Sequence, residues 1–170
     1  MTTAPIPALH PPDASIPLRD VTPDDLNELL RCCWADRSYD VGRWMISRVV
    51  RNQQEQRGTG VAVAGADGAI LGYGQLTVWP RCAEISDLFV DSRFRSQGYG
   101  TAIVQYLTHY ARTLRADCVE IGAAESNPRA AALYRRLGFA DHRVIHMNLG
   151  TAQREPVIYL RLALPPLPEC

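Results

Sequence analysis

Residues 85–114 constrain the fold most strongly, because the hydrophobic pattern changes there within a few residues. An apolar run at 88–90 leads into a polar turn that contains Gly98 and Gly100. The apolar positions after the turn keep the spacing of a helix: Ile103, Leu107, Tyr110, Ala111 and Leu114. The segment therefore predicts a strand, a glycine-containing turn and an amphipathic helix in direct succession.

A glycine turn at the start of a helix favours anion binding. The first N–H groups of a helix have no partner within it and carry the positive end of its dipole. Glycine lets this backbone approach a phosphate closely, and Arg95 adds a permanently charged donor for phosphate oxygens. Two other phosphate motifs are absent, because the chain contains no lysine and lacks the third glycine of the dinucleotide-binding spacing.

A second segment, 127–139, predicts a short helix with clear boundaries. Asn127 is a favourable N-cap, Pro128 occupies the first helical position, and Gly138 provides a left-handed end. One face carries the apolar positions Ala130, Leu133, Tyr134 and Leu137. Taken alone, a tyrosine at this spacing is more often part of a core than a catalytic group.

Together the two segments resemble the GCN5-related N-acetyltransferases (GNAT). Arg95-x-x-Gly98-x-Gly100 is similar to the pyrophosphate loop of that family, although the family usually has glycine in place of Ser96. Asn127-x-x-Ala130-x-x-x-Tyr134, followed by Leu-Gly-Phe, is similar to its second signature. The two motifs occur in the order and at a separation that the family shows.

The resemblance implies an enzyme that moves an acetyl group from acetyl-CoA to a primary amine of a small molecule or peptide by direct attack, without a metal. It implies that Tyr134 protonates the departing thiolate and that Asn127 helps to hold the pantetheine arm. The backbone at 88–90 would bind the thioester carbonyl and the pantetheine amides. The implied cofactor-binding residues are Leu88, Phe89, Val90, Arg95, Ser96, Gln97, Gly98, Tyr99, Gly100, Thr101 and Asn127.

The catalytic base is open between carboxylates near the same strand. Glu84 and Asp87 precede the loop, where relatives often carry an acidic residue, and strand alternation places them on opposite faces unless a bulge intervenes. A carboxylate near a strand end is more often solvated or paired with arginine. We favour Glu84 as the base, with Asp87 as a residue that orients substrate or braces the loop, and Glu125 as a third candidate.

The order of predicted elements indicates the α/β class, with a mixed sheet and helices on both faces. It matches the GNAT fold, with a mostly antiparallel central sheet, over 16–164. Residues 1–15 and 165–170 are predicted to be flexible tails. A first strand is expected at 16–21, a helix capped by Thr22, a helix at 41–54 and a hairpin turn at Asp67-Gly68. The inward face of the 41–54 helix is predicted from four residues: Val41, Trp44, Met45 and Val49.

Composition narrows the class of partners. The 18 basic and 18 acidic residues balance, which gives no electrostatic case for nucleic acid or a membrane surface. No signal peptide is recognisable at the N-terminus. The five cysteines are odd in number and lack C-x-x-C spacing, so we expect a reducing, cytoplasmic location and no zinc framework.

The sequence leaves the acceptor amine open. A protein N-terminal acetyltransferase is the nearest alternative, and a non-catalytic acyl-CoA-binding or sensor module belongs to another class. A nucleotide-binding protein is disfavoured because no phosphate-site lysine is available. A homodimer could form through the apolar residues 157–160, which could equally form an internal strand.

Overall fold

The computed structural model describes residues 15–150 and 153–165, and these residues form a seven-stranded sheet with four α-helices. The strands are β1 (Leu18–Asp20), β2 (Gly58–Ala64), β3 (Ile70–Val78), β4 (Cys82–Val90), β5 (Cys118–Ala124), β6 (Ala140–Met147) and β7 (Glu155–Ala163). The helices are α1 (Leu26–Cys32), α2 (Tyr39–Gln54), α3 (Tyr99–Thr113) and α4 (Pro128–Arg136). Short 3₁₀ turns lie at Pro23–Asp25 and Ser92–Phe94.

The strand order is β1-β2-β3-β4-β5-β7-β6, and only the β4–β5 pair is parallel. The predicted mixed, mostly antiparallel sheet is therefore confirmed. Residues 157–160 lie in β7, between β5 and β6, so they form an internal strand of the described sheet. The dimer stays a prediction.

Helices cover both faces of the sheet. On one face, α1 and α2 pack over the first strands through a core that includes Leu29, Ile46 and Tyr73. On the other face, α3 and α4 share a larger core with side chains from β2, β3, β4, β5 and β7, and this core includes Ile103, Leu107 and Tyr134. Each hydrophobic layer combines apolar side chains at helical spacing from the helices with apolar side chains at alternate positions of the strands.

The turn into α1 follows the predicted capping pattern, although it begins as a 3₁₀ turn. The Thr22 N–H donates to the Asp25 carboxylate at 2.8 Å, and Arg19 holds both carboxylate oxygens at 2.7 and 2.8 Å. The Arg19 guanidinium lowers the pKa of Asp25, and its hydrogen bonds outweigh the opposing effect of burial. The first strand is shorter than the predicted 16–21.

The predicted inward face of α2 is wrong for two residues. Trp44 is 61% exposed and Val41 is 43% exposed, whereas Gly42, Ile46 and Val49 are buried. The reason is the close approach of α1 at Gly42, where a Cβ atom would lie 2.7 Å from a methyl carbon of Leu30. Because glycine is not counted as hydrophobic, a sequence pattern does not reveal a buried helix face that includes Gly42.

The hairpin between β2 and β3 is confirmed. Gly68 has φ +82°, and the Asp67 side chain accepts a hydrogen bond from the Ala69 N–H at 3.1 Å. The predicted tails lie almost entirely outside the described residues, so the domain boundaries stay predictions. Within 15–150 and 153–165, no helix is long and apolar enough to span a lipid bilayer.

A buried carboxylate joins the three strands at the far end of the sheet. Glu120 on β5 is almost fully buried and accepts hydrogen bonds from Arg161 on β7 at 2.6 and 2.9 Å. Arg143 on β6 binds its other oxygen at 2.7 Å. Removing one member of such a group leaves the remaining charges without partners, which costs more than the loss of an exposed pair.

Replacement of Glu120 tests this cluster. Because both arginines are partly exposed, we expect Glu120→Ala to lower the free energy of unfolding by about 2 kcal/mol in denaturant titrations. Glu28→Ala is the control, since it breaks an exposed pair with Arg31 on α1. We expect little change for that variant, and equal effects of the two substitutions would contradict this assignment.

Candidate active site

The parallel strands β4 and β5 part halfway along their length. Their pairing runs from Cys82↔Cys118 to Ile85↔Ile121 and no further. Beyond this point β4 remains paired to β3 as far as Val90, and β5 remains paired to β7 as far as Ala124. The edges of 86–90 and 122–124 that face each other therefore present backbone groups with no strand partner.

A β-bulge shapes β4 at the same level. Three steps along β4, from Phe89 to Ser86, match two steps along β3, from Tyr73 to Gln75, and Asp87 adopts φ +52°. The extra residue interrupts the alternation of side chains. As a result the Gln75 amide donates to both Ser86 Oγ at 3.0 Å and Asp87 Oδ2 at 2.7 Å.

A cavity of about 610 Å³ opens at the end of β4, against α3 and α4. It is lined by Leu88, Phe89, Val90, Phe94, Arg95, Ser96, Gly98, Tyr99, Gly100, Thr101, Ser126, Asn127, Arg129, Ala130, Leu133, Tyr134 and Arg136. The structure thus brings together ten of the eleven residues predicted to bind the cofactor. The exception is Gln97, which is exposed and does not line the cavity.

The start of α3 supplies open backbone donors to this cavity. Gly98 is the N-cap residue with φ +87°, a left-handed conformation that favours glycine, and no side chain caps the helix. Gly100 differs, because a Cβ atom there would meet Leu133 and Val90 only at ordinary distances of 3.5 and 3.7 Å. The fold itself therefore requires glycine at 98 but not at 100.

The charged side chains among the described lining residues of this cavity are all cationic. Arg95, Arg129 and Arg136 line it, and no Asp or Glu is among the described lining residues. Arg95 donates to the Val90 carbonyl at 3.3 Å. Sequence reasoning missed Arg129 and Arg136, although their spacing of seven residues places them on one face of α4.

Tyr134 lies where this cavity meets a second one. Its side chain is buried and packs against Phe139 with the ring centroids 6.4 Å apart. Burial raises the pKa of Tyr134 to about 12, so the phenol keeps its proton at neutral pH. Asn127 caps the same helix through its Oδ1, which accepts from the Ala130 N–H at 3.3 Å.

The second cavity, of about 370 Å³, lies between the parted strands. It shares Leu88, Asn127, Ala130 and Tyr134 with the first, and it is also lined by Glu84 and Asp87. Both preferred acidic candidates therefore reach the same space as Tyr134. Glu125 does not, because it lines a separate cavity between α4 and β6.

The two carboxylates have different surroundings. Glu84 accepts hydrogen bonds from the Tyr159 hydroxyl at 3.1 Å and from the Trp79 indole at 3.4 Å, one at each oxygen. Asp87 is exposed as a residue, and partial desolvation of its carboxyl raises its pKa above the usual range. Arg48 and Arg37 oppose that shift, while Glu84 and Asp36 add to it.

The Gln75 side chain links Asp87 to the core. Its Oε1 accepts from the Tyr73 hydroxyl at 3.0 Å, while its amide nitrogen binds Asp87. Tyr73 in turn meets Trp34 edge-on, with ring centroids 5.5 Å apart. The Asp87 carboxylate is therefore held by a chain of buried groups that leads back to Trp34, two residues after the end of α1.

Comparison with known proteins identifies the family. The model of the acetyltransferase (GNAT) family matches residues 24–139, more than half of the chain. The chain therefore belongs to this family. An uncharacterized N-acetyltransferase of Methanocaldococcus jannaschii is 28% identical over 153 residues, a match that covers 81% of this chain and 66% of the relative.

Solved structures share the fold. The phosphinothricin acetyltransferase of Sinorhizobium meliloti in complex with acetyl-CoA has a TM-score of 0.74 at 18% identity, covering 88% of each chain. The ribosomal L7/L12 α-N-protein acetyltransferase RimL in complex with coenzyme A has a TM-score of 0.76 at 15% identity, covering 91% of this chain and 97% of its own. Among the described residues, no group of three His, Cys, Asp or Glu side chains could hold a metal ion.

The two glycines of the loop should respond differently to alanine. We expect Gly98→Ala to lower the free energy of unfolding by about 1–2 kcal/mol, because an L-residue is strained in the left-handed region. Gly100→Ala should leave stability unchanged or raise it by about 0.5 kcal/mol, since alanine favours a helix and the space is available. Urea titrations measure both, and a larger loss for Gly100→Ala would show that the fold needs that glycine.

Proposed function

We propose that the protein transfers the acetyl group of acetyl-CoA to a primary amine of a small molecule or peptide by direct attack. The observation that carries this proposal is the meeting of two cavities at Tyr134, one lined by arginines and the other by carboxylates. The arrangement suits a long anionic donor and a cationic acceptor that approach one another from opposite ends.

The first cavity fits the chemistry of coenzyme A. Phosphates favour the open amides at the start of α3 and the guanidinium groups of Arg95, Arg129 and Arg136. The edge of 88–90 that is not paired with β5 offers backbone groups to the amides of the pantetheine arm. Relatives of the same fold that hold acetyl-CoA or coenzyme A support this choice of donor.

The chain's own residues then serve direct transfer. Acetyl-CoA supplies an acetyl group already activated as a thioester, so no covalent enzyme intermediate is needed. The acceptor nitrogen forms its bond to the acetyl carbon while the carbon–sulfur bond breaks, and Tyr134 gives its proton to the departing sulfur. The nitrogen gives up its second proton as the amide forms, and this proton restores the phenol of Tyr134. A buried phenol that keeps its proton at neutral pH is suited to this role.

We propose Asp87 as the base, in place of our sequence-based preference for Glu84. An ammonium must lose a proton before its nitrogen can attack, and the acceptor of that proton needs a pKa nearer neutrality than an ordinary aspartate has. Burial raises the pKa of Asp87, and Gln75 fixes its carboxylate. Glu84 has hydrogen bonds to both oxygens and is better placed to attract the ammonium.

Alanine substitution tests the role of α4 in donor binding. We expect Arg129→Ala and Arg136→Ala each to weaken coenzyme A binding about tenfold in calorimetric titrations, because each removes a charged hydrogen-bond donor. The loss should shrink at high salt. Arg93→Ala is the control, since Arg93 pairs with Asp91 at 2.8 Å and does not line the cavity.

Unchanged affinity in both α4 variants would remove this helix from the donor site. ATP is the comparator for the nucleotide-binding alternative. Equal binding of ATP and coenzyme A would favour that alternative over the proposed one.

Kinetic variants separate the acid from the base. We expect Tyr134→Phe to lower kcat by about 10²-fold while keeping its packing against Phe139.

Asp87→Asn should remove the acid limb of the pH–rate profile. That limb lies above the usual pKa of aspartate, because activity appears only as the Asp87 carboxyl, whose pKa is raised, loses its proton.

Asparagine also tolerates the left-handed backbone at 87, so this variant is expected to fold. Glu84→Gln is the matched comparison and should retain the acid limb. If Glu84→Gln removes it and Asp87→Asn does not, the assignments are reversed. Full activity of Tyr134→Phe would exclude the phenol as the proton donor.

A further inference from the structure

The lining of the second cavity restricts the acceptor, and this step rests on the proposed function. The cavity contains two carboxylates, Glu84 and Asp87, and none of the described residues that line it is Arg or His. From this lining we infer that the acceptor amine sits on an apolar, uncharged body and carries no carboxylate or phosphate beside the nitrogen.

Apart from the two acids, most of the described lining is apolar, and Ser86, Asn127 and two tyrosines are its other polar residues. Leu88 lies on β4, Met147 ends β6, Leu149 follows β6 in the connection, and Val157 lies on β7. Leu149 is 46% exposed, so a ligand body could remove a substantial apolar surface from water there. The ring of Tyr159 adds a flat apolar face beside Glu84.

The position of the negative charge is fixed. The Tyr159 hydroxyl and the Trp79 indole hold Glu84 from two directions, and Gln75 holds Asp87. An ammonium is attracted to this region, whereas a carboxylate next to the amine would be brought towards two like charges in a partly desolvated space. The cavity therefore selects against amino acids and in favour of their decarboxylated or amidated forms.

The arginines around the cavity do not supply a carboxylate clamp. Arg143 stacks on the Tyr159 ring at 4.7 Å, but its guanidinium is bound to Glu120 at 2.7 Å. Arg48 stacks on the exposed Trp44 ring at 4.8 Å, and Arg37 pairs with Asp36 at 3.5 Å. Neither lines the cavity, although both act on Asp87 from the side of α1 and α2. Their positive charge partly balances Asp87 without offering a donor inside the acceptor space.

Matched amines test the inference by thiol release from acetyl-CoA. The pairs are phenethylamine against phenylalanine, tyramine against tyrosine, and leucinamide against leucine. We expect kcat/KM to be at least about tenfold higher for the member of each pair without a carboxylate, because like charges repel. Higher values for the carboxylates would overturn the inference.

A charge placed in the wall provides the sharper test. Leu149 is exposed, so Leu149→Arg should fold, and it would add a guanidinium beside the two acids. We expect it to reduce the preference for amines without a carboxylate at least about threefold, because it gives a substrate carboxylate a partner. Leu149→Gln is the matched control, because it removes the apolar side chain without adding charge.

An unchanged preference in Leu149→Arg would show that this wall does not face the acceptor, which contradicts the inference. Failure of the proposed function looks different. In that case the protein would not bind acetyl-CoA, or would release no thiol with any amine of either kind. Turnover that favours carboxylates would leave the proposed function in place and remove only the acceptor class.

Discussion

The parting of β4 from β5 is the feature on which the rest of the site depends. In a continuous sheet the backbone of 86–90 would be paired on both sides and would be closed to any ligand. Here the pairing ends at Ile85↔Ile121, while the outer partners β3 and β7 hold the two strands in place. The opening is therefore kept rigid by the same sheet that it interrupts.

The bulge at Asp87 and the divergence act together. The bulge turns Asp87 onto the face of Gln75, and the divergence gives that carboxylate access to the cavity shared with Tyr134. Negative charge is thereby concentrated on one side of Tyr134 and arginine on the other. This separation of charge distinguishes the two ends of the site, and it is the physical basis for assigning a donor end and an acceptor end.

Much of the fold was readable from the sequence because its local signals agree with its tertiary structure. The glycine turn, the Asn127 cap and the hairpin at Asp67-Gly68 each use a residue whose preference matches the conformation found. The inward face of α2 was not readable, because the packing there depends on a glycine that meets α1. The hydrophobic pattern placed Trp44 on the inward face of α2, but its side chain is exposed to solvent.

Part of the site could also be predicted, because local motifs mark it. Motifs place the loop and Tyr134, but a motif does not contain the long-range contacts that distinguish Glu84 from Asp87. Those contacts come from Tyr159, Trp79 and Gln75, which lie on other strands or before β4 begins. The bulge that brings Asp87 into the site is a property of strand register and leaves no clear mark in the sequence.

Amide hydrogen exchange measured by NMR, with and without coenzyme A, tests the central claim most directly. If the parted edge of β4 and the start of α3 form the donor site, coenzyme A should slow exchange at one or more amides of 88–90 and at those of 99–101. Amides of 61–63 in β2, where the strand is paired with both β1 and β3, should be unaffected. Saturable binding of coenzyme A with no change at 88–90 or 99–101 would contradict this account of the site.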